Sequence, residues 1–525
     1  MKKYLLFTAL IFSISTETLA QTEEMSVSER INRFFSPIVE VMASVLFYDP
    51  FEAIGIYDAT VYDENGKAVL NADGSVKKQP IPLVVAWLIF GAIFFTIRMK
   101  FINLRGLRHA FDLVRGKYKA EHSMHQGEVS HFQALATALS ATVGLGNIAG
   151  VAVAVSLGGP GATFWMIVAG FLGMTSKFTE CTLGVKYRHI DKKGRVFGGP
   201  MFYLKEGFAR IGFPQLGQAL SVIFALLCIG GSFGGGNMFQ ANQAFEMLAG
   251  QIPALKPYGF EFGVIVALMV GAVIIGGIRT IARVTDKLVP LMCGIYVVAS
   301  LVIIGMNISL LPKVCYLILS SAFSNDAMYG GFVGVVVQGF RRAVFSNEAG
   351  VGSSSIAHSA VRTSEPITEG LVALLEPFID TIVVCTMTAL VIIITEMYKY
   401  QGVTGVQLTN MAFASQISWF PYVLTLTVFL FAFSTMIAWS YYGTIAWAYL
   451  FGKKKRSIVL YKIIFLCFIV IGSSTNMRAV IDFSDMMILG MAFPNILGLV
   501  LMSKEVYEDL ENYLAKVKSS SLNSR

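Results

Sequence analysis

Charged residues are scarce in this 525-residue chain: Asp, Glu, Lys and Arg make up only 14%. A soluble domain carries roughly 25%. Too little polar surface remains to cover a water-soluble particle, which argues against a cytosolic enzyme, a nucleic-acid binder and a disordered scaffold. Cysteine is sparse as well. Cys181, Cys228, Cys293, Cys315, Cys385 and Cys467 lie mostly in apolar runs, with no C-x-x-C pair. That spacing fits packing and suggests neither a disulfide framework nor a zinc site. The alternation of a membrane β-barrel is missing. So are a Ser-His-Asp set, a phosphate loop and a metalloprotease motif, and no enzyme and no cofactor are expected.

What the chain has is apolar residues in long runs. They make up 55% of the sequence, and the mean hydropathy is +0.64. A membrane-spanning helix needs about 20 of them, so the prediction is an all-α membrane protein. The runs fall at about 81–97, 133–156, 162–184, 217–248, 261–278, 288–311, 331–357, 370–396, 419–449, 457–474 and 484–502, about eleven helices.

The amino end reads as a targeting segment. Lys2 and Lys3 precede an apolar stretch, and Thr18-Leu19-Ala20 offers small residues for cleavage, so residues 1–20 are expected to be a signal peptide. Residues 21–80 form an expected periplasmic segment, with an amphipathic helix over Ser26–Phe47 and hairpin turns at Asn65-Gly66 and Asp73-Gly74. An extra transmembrane helix follows at 81–98. From an outside start, the basic residues cluster in alternate loops: Arg98 to Lys119, Lys186 to Arg195, Arg279 to Lys287, and Lys453 to Arg456. Cytoplasmic loops collect such residues. This places the protein in a bacterial-type inner membrane, with a periplasmic mature N-terminus and a cytoplasmic tail at 503–525.

Two spans contain glycines and polar groups that a simple anchor would lack. The first reads Ala138-Leu-Ser-Ala-Thr-Val-Gly-Leu-Gly-Asn-Ile-Ala-Gly150 and the second Phe345-Ser-Asn-Glu-Ala-Gly-Val-Gly-Ser-Ser-Ser355. Glycine favours opening of the helix. Opened backbone within a membrane must be satisfied, and a bound ion and solute can do so. Helix N-termini suit a carboxylate and freed carbonyls suit a cation. With the first span set aside, the broken spans are the first of each group of five. Residues 133–311 and 331–502 then form two five-helix repeats that enter the membrane from opposite sides. This is the pattern of an inverted-repeat transporter with its site between the breaks. Close packing of small residues is the alternative.

With these motifs the chain resembles the alanine or glycine:cation symporter family, also called sodium:alanine symporters. The resemblance rests on residues 136–151, on Gly158-Gly-Pro-Gly-Ala162 and on Arg342-Ala-Val-Phe-Ser-Asn-Glu-Ala-Gly-Val-Gly-Ser353. It implies a 5+5 inverted-repeat fold of the leucine-transporter type, with broken second and seventh helices. It also implies sodium-coupled uptake of a small neutral amino acid, alanine or glycine, by alternating access. The signal peptide and the long segment after it depart from the usual pattern.

By the same resemblance, Asn147 is a sodium-ligand candidate, with an interhelical hydrogen bond as the alternative. Ser434 and Thr435 fit a second sodium with the backbone of Ser140, Val143 and Phe431; back-bonding to their own helix is the alternative. Ser346 can supply a hydroxyl to an ion, and it flanks the substrate with Phe345 and Asn347. Thr142, Gly144 and Gly146 offer hydroxyl and N–H groups to the substrate carboxylate. Gly235 and Gln240 are further substrate candidates from the polar fourth span, and Trp439 would limit the size of the pocket. Glu348 is an ionisable group at membrane depth, where such groups are commonly functional. It is read as a coupling or structural carboxylate, and proton coupling through it is the alternative mechanism. Glu376 and Asp380 are expected to line a vestibule. The expected partners are a small amino acid, sodium and the lipid bilayer. Nothing suggests nucleic acid or an obligate protein partner. An ion channel is a weaker reading, because two isolated breaks suit a closed site better than a continuous pore.

Overall fold

The computed structural model describes Arg33, Pro37 and residues 40–523, apart from 61–66, 71–73, 77, 79, 118–126, 325–330, 401, 404, 475–482 and 484–485. The expected signal peptide and the start of the expected amphipathic helix lie outside these residues. Glu40–Leu46 is helical, with Val41 and Val45 exposed and Leu46 buried. Isolated antiparallel bridges pair Thr60 with Lys78 and Leu70 with Val76.

The fold is a bundle of long helices. Helix α1 is Leu83–Arg98. The first broken span comprises α2, His131–Thr142, and α3, Gly146–Gly158, bent by 53°. Then follow α4 (Gly161–Lys186), α5 (Pro214–Gln251), α6 (Gly259–Ile274) and α7 (Ile278–Met306). The second broken span has α8 (Gly331–Asn347) and the short α9 (Ser355–His358). The last four are α10 (Pro366–Ile394), α11 (Phe420–Phe451), α12 (Lys455–Ser474) and α13 (Ala492–Asn523). Strands β1 (His189–Ile190) and β2 (Val196–Phe197) form a small hairpin between α4 and α5. Among the described residues, seven helices are long and apolar enough to cross a membrane, or eight with α2 and α3 as one span. Three further rods occupy expected spans: α1 has only 16 residues, α4 carries Lys177 and Glu180, and α8 stops at its break.

Local chemistry sets the ends of these helices. Ser130 starts α2 with a reciprocal capping box to Gln133, which satisfies two orphan donors. At its other end Val143 is extended (φ −73°, ψ 92°), and the helix cannot continue. Helices α5, α10 and α11 each begin with a proline in the first turn, where the missing N–H is no loss.

The carboxyl end is helical. Residues 503–523 continue α13, because Val506, Leu510 and Tyr513 repeat at helical spacing and are buried. Polar contacts hold this extension: Lys186 to Asp509 at 2.5 Å, His109 to Tyr513 at 2.7 Å, and Lys516 to Glu365 at 3.0 Å.

The basic loops meet on one face of the bundle. Glu128 accepts the Val196 N–H at 2.8 Å and pairs with Arg279 at 3.4 Å. Lys453 lies 4.0 Å from the centre of the Phe197 ring. Arg188 donates to the carbonyls of Ser359 and Thr363, each at 2.8 Å. Four connections separated in sequence therefore share one surface.

Candidate functional site

Both expected breaks are present, and they touch. A Cβ built on Gly146 would lie 3.2 Å from Ser346 Cα and 3.6 Å from the Phe345 carbonyl oxygen. A side chain at this position would push the facing backbone back by a few tenths of an ångström. The second break runs from Asn347 to Ser354, with Glu348, Gly350 and Gly352 all at positive φ.

Asn147 is the hinge of the first break. Its Oδ1 accepts the Gly144 N–H at 2.8 Å, which closes the opened turn. Its amide nitrogen donates to Asp380 Oδ1 at 2.6 Å. The alternative role, an interhelical hydrogen bond, is therefore present. Asp380 also accepts the Ser346 hydroxyl at 2.8 Å and the Thr381 hydroxyl at 2.7 Å. One carboxylate thus joins both breaks to α10. It sits in a π-helical stretch, Phe378–Cys385, where an extra residue per turn can turn a side chain inward.

Asp380 and Glu376 correct the sequence expectation. Both are fully buried and line no vestibule. Their positions in an apolar run gave the usable signal, since an ionisable group there is functional by default. Which groups each would meet depends on the packing of helices distant in sequence.

A second oxygen cluster lies beside the first break. Thr435 Oγ1 meets the Ser140 carbonyl at 3.0 Å. Ser434 Oγ lies 3.4 Å from the same carbonyl and 2.9 Å from the Phe431 carbonyl. The Ser140 hydroxyl faces the Ser434 carbonyl at 3.3 Å. Ser434 thus back-bonds to its own helix while reaching across, whereas Thr435 reaches across. Val143 follows at the helix end.

The substrate candidates fall around these clusters. Thr142 is buried, and its hydroxyl donates to the Ala138 carbonyl at 3.2 Å. A Cβ on Gly144 would meet Thr435 Oγ1 at 2.9 Å and Gln240 Oε1 at 3.8 Å. Gln240 donates through its nitrogen to the Gly235 carbonyl at 2.9 Å, and its buried Oε1 has no partner among the described residues. Trp439 is buried against the glycines of α5: a Cβ on Gly236 would lie 2.3 Å from its Cγ. Asn347 donates to Thr381 at 2.8 Å and accepts the Ala349 N–H at 2.9 Å, a structural arrangement. Phe345 is half-buried beside the break.

Beyond the second break lies a buried charged network. Lys177 pairs with Glu180 at 3.7 Å, but it is closer to Glu376, at 3.0 Å. Lys177 and Glu376 both contact the Ser354 hydroxyl. His358 pairs with Glu369 at 2.6 Å and lies 3.5 Å from Glu376. Glu369 also pairs with His131, at the start of α2. Glu348 accepts the Ser353 hydroxyl across the opened turn. These contacts tie α2, α4, α9 and α10 together below the breaks.

Residues 67–524 match the family described as the sodium:alanine symporter family. The "Sodium/alanine symporter AgcS" of Methanococcus maripaludis is 39% identical over 447 residues, covering 84% of this chain and 96% of that relative. The "Probable sodium/glutamine symporter GlnT" of Bacillus subtilis is 34% identical over 439 residues, covering 83% and 88%. Among solved structures, MhsT in complex with L-phenylalanine matches with a TM-score of 0.52 at 15% identity, covering 72% of this chain and 89% of that one. This last likeness concerns the fold alone, which is of the leucine-transporter type.

Proposed function

Because the chain belongs to the sodium:alanine symporter family, we propose that it couples inward sodium flow to uptake of a small neutral amino acid, alanine or glycine, across a bacterial-type inner membrane. The observation that carries this reading is the meeting of two opened helices around unpaired or exchangeable oxygens.

One sodium ion binds among the Ser140, Val143 and Phe431 carbonyls and the Ser434 and Thr435 hydroxyls. Hard oxygen donors of this kind suit a small cation. A second binds between Asn147, Ser346 and Asp380. A buried charge is costly unless paired, and a cation beside Asp380 supplies the pairing. The hydroxyls turn their lone pairs toward the ion.

The amino acid lies against Gly144 and Gly146. Its carboxylate takes N–H groups of the opened first span together with Thr142, and its ammonium takes the free Gln240 Oε1. Trp439 and Phe345 close the space around a short side chain. Asn347 and Glu348 brace the second break, and Gly235 orients Gln240. Positive charge bound beside the site raises affinity for the carboxylate, and the coupling is reciprocal.

The test is labelled-alanine uptake into proteoliposomes. Accumulation with an inward sodium gradient, and none without it, is expected. Equal uptake in both conditions overturns the reading. Accumulation driven by a proton gradient without sodium would move the coupling to Glu348.

A further inference from the structure

The basic face of the bundle holds a groove of about 760 Å³ where the end of α6, the start of α7, α11 and α12 meet. Its rim carries five cations: Lys193, Arg195, Arg279, Lys455 and Lys462. Arg195 is neutralised by Asp191 at 2.8 Å and Arg279 by Glu128 at 3.4 Å. Among the described residues no carboxylate pairs with Lys193, Lys455 or Lys462. Lys462 donates instead to the Ile274 carbonyl at 2.6 Å. Helix α7 also begins at this rim, and no side chain caps its first turn. The positive end of a helix adds to the attraction for an anion.

The floor is apolar and faces outward. Ile275 is 76% exposed and Ile463 is 54% exposed, so both offer uncovered apolar surface beside the cations. A soluble anion would match the rim but leave this floor uncovered. A molecule with a phosphodiester head and a long acyl chain matches both. Basic pockets between membrane helices recognise anionic lipid heads by this combination.

We propose that this groove binds one anionic glycerophospholipid. Lys193 and Lys455, two of the cations left without a carboxylate at the rim, hold its phosphodiester, and an acyl chain lies along Ile275 and Ile463. The site is separate from the breaks and does not depend on which ion or solute is carried.

The test is native mass spectrometry of the full chain released from nanodiscs of phosphatidylglycerol and phosphatidylethanolamine. One retained phosphatidylglycerol per chain is expected. Lys193→Gln with Lys455→Gln should lower that retention at least tenfold while phosphatidylethanolamine retention stays the same. Ile463→Trp, which fills the floor and keeps every cation, should lower it as well. Melting temperatures without added lipid verify that the variants fold. Equal retention of the two lipids by the wild type overturns the proposal, as does undiminished phosphatidylglycerol on the double variant. Displacement of the lipid by glycerol phosphate alone would reduce the site to a soluble-anion site and also overturn it.

Discussion

The side-chain amide of Asn147 reaches Asp380 Oδ1 at 2.6 Å, across 233 residues of sequence. The other carboxylate oxygen takes hydroxyls from Ser346 and Thr381. These partners are one amide and two alcohols, and none carries a positive charge. An anion so enclosed is costly in a membrane, and a bound cation removes the cost.

Asp380→Asn keeps the size but removes the charge and turns one accepting oxygen into a donating NH2, and the hydroxyls of Ser346 and Thr381 can rotate to accept from it. Sodium half-saturation of uptake is expected to rise tenfold or more, about 1.4 kcal/mol. Uptake measured over a range of sodium concentrations checks this. Unchanged half-saturation excludes Asp380 from the ion path.

Thr435→Val is expected to weaken sodium activation by about tenfold, because its hydroxyl reaches the Ser140 carbonyl without also bonding to its own helix. Ser434→Ala should have a smaller effect, since that hydroxyl is shared with the Phe431 carbonyl. Sodium titrations of the two variants side by side give the comparison. The reverse order would reassign the ligands.

Gly236→Ala places a methyl group 2.3 Å from Trp439 Cγ, and something must move. Overpacking of this kind costs about 1–3 kcal/mol. A lower melting temperature in detergent is expected, together with an altered preference among short and longer amino acids in a competition panel.

Glu369→Gln removes the anion shared by His131 and His358. Breaking a buried ion pair costs about 3 kcal/mol. The expected result is a clear fall in thermal stability, with the His131 end of α2 more open to proteolysis. A variant as stable as the wild type would show that the network does not anchor α2.

The small hairpin β1–β2 should be sensitive to acid. Burial pushes the Asp191 carboxyl up, but the N–H groups of Arg195 and Lys193 and the Arg195 guanidinium outweigh it and hold the group below its ordinary 3.8. A depressed folded-state value stabilises above the unfolded-state value, and that contribution is lost as pH falls through the folded one. Protection of the 189–197 amides from exchange, taken relative to the intrinsic rate at each pH, should therefore fall below about pH 4, and Asp191→Asn should abolish that step.

Much of this architecture was legible in the sequence because membrane burial leaves a linear mark. Apolar runs gave the rods, and the glycines around 144–146 and 350–352 gave both breaks. The pairing of the breaks followed from counting spans. What stayed hidden was tertiary. Asp380 lies among Phe378, Ile379 and Ile382, and nothing nearby in sequence announces Asn147 or Ser346 as its neighbours. Lys177 has Glu180 one turn away, yet its shorter contact is Glu376 on another helix. Reading 503–525 as a tail left its conformation open, although Val506, Leu510 and Tyr513 repeat every three or four residues and are buried in the structure.

The half-helix from His131 to Thr142 has 12 residues, a rod about 18 Å long. Pivoted at Val143, it acts as a lever. A tilt of about 10° would carry its far end by about 3 Å, enough to part His131 from Glu369. A modest rearrangement at the midplane would thus be magnified into an unlatching at the basic face.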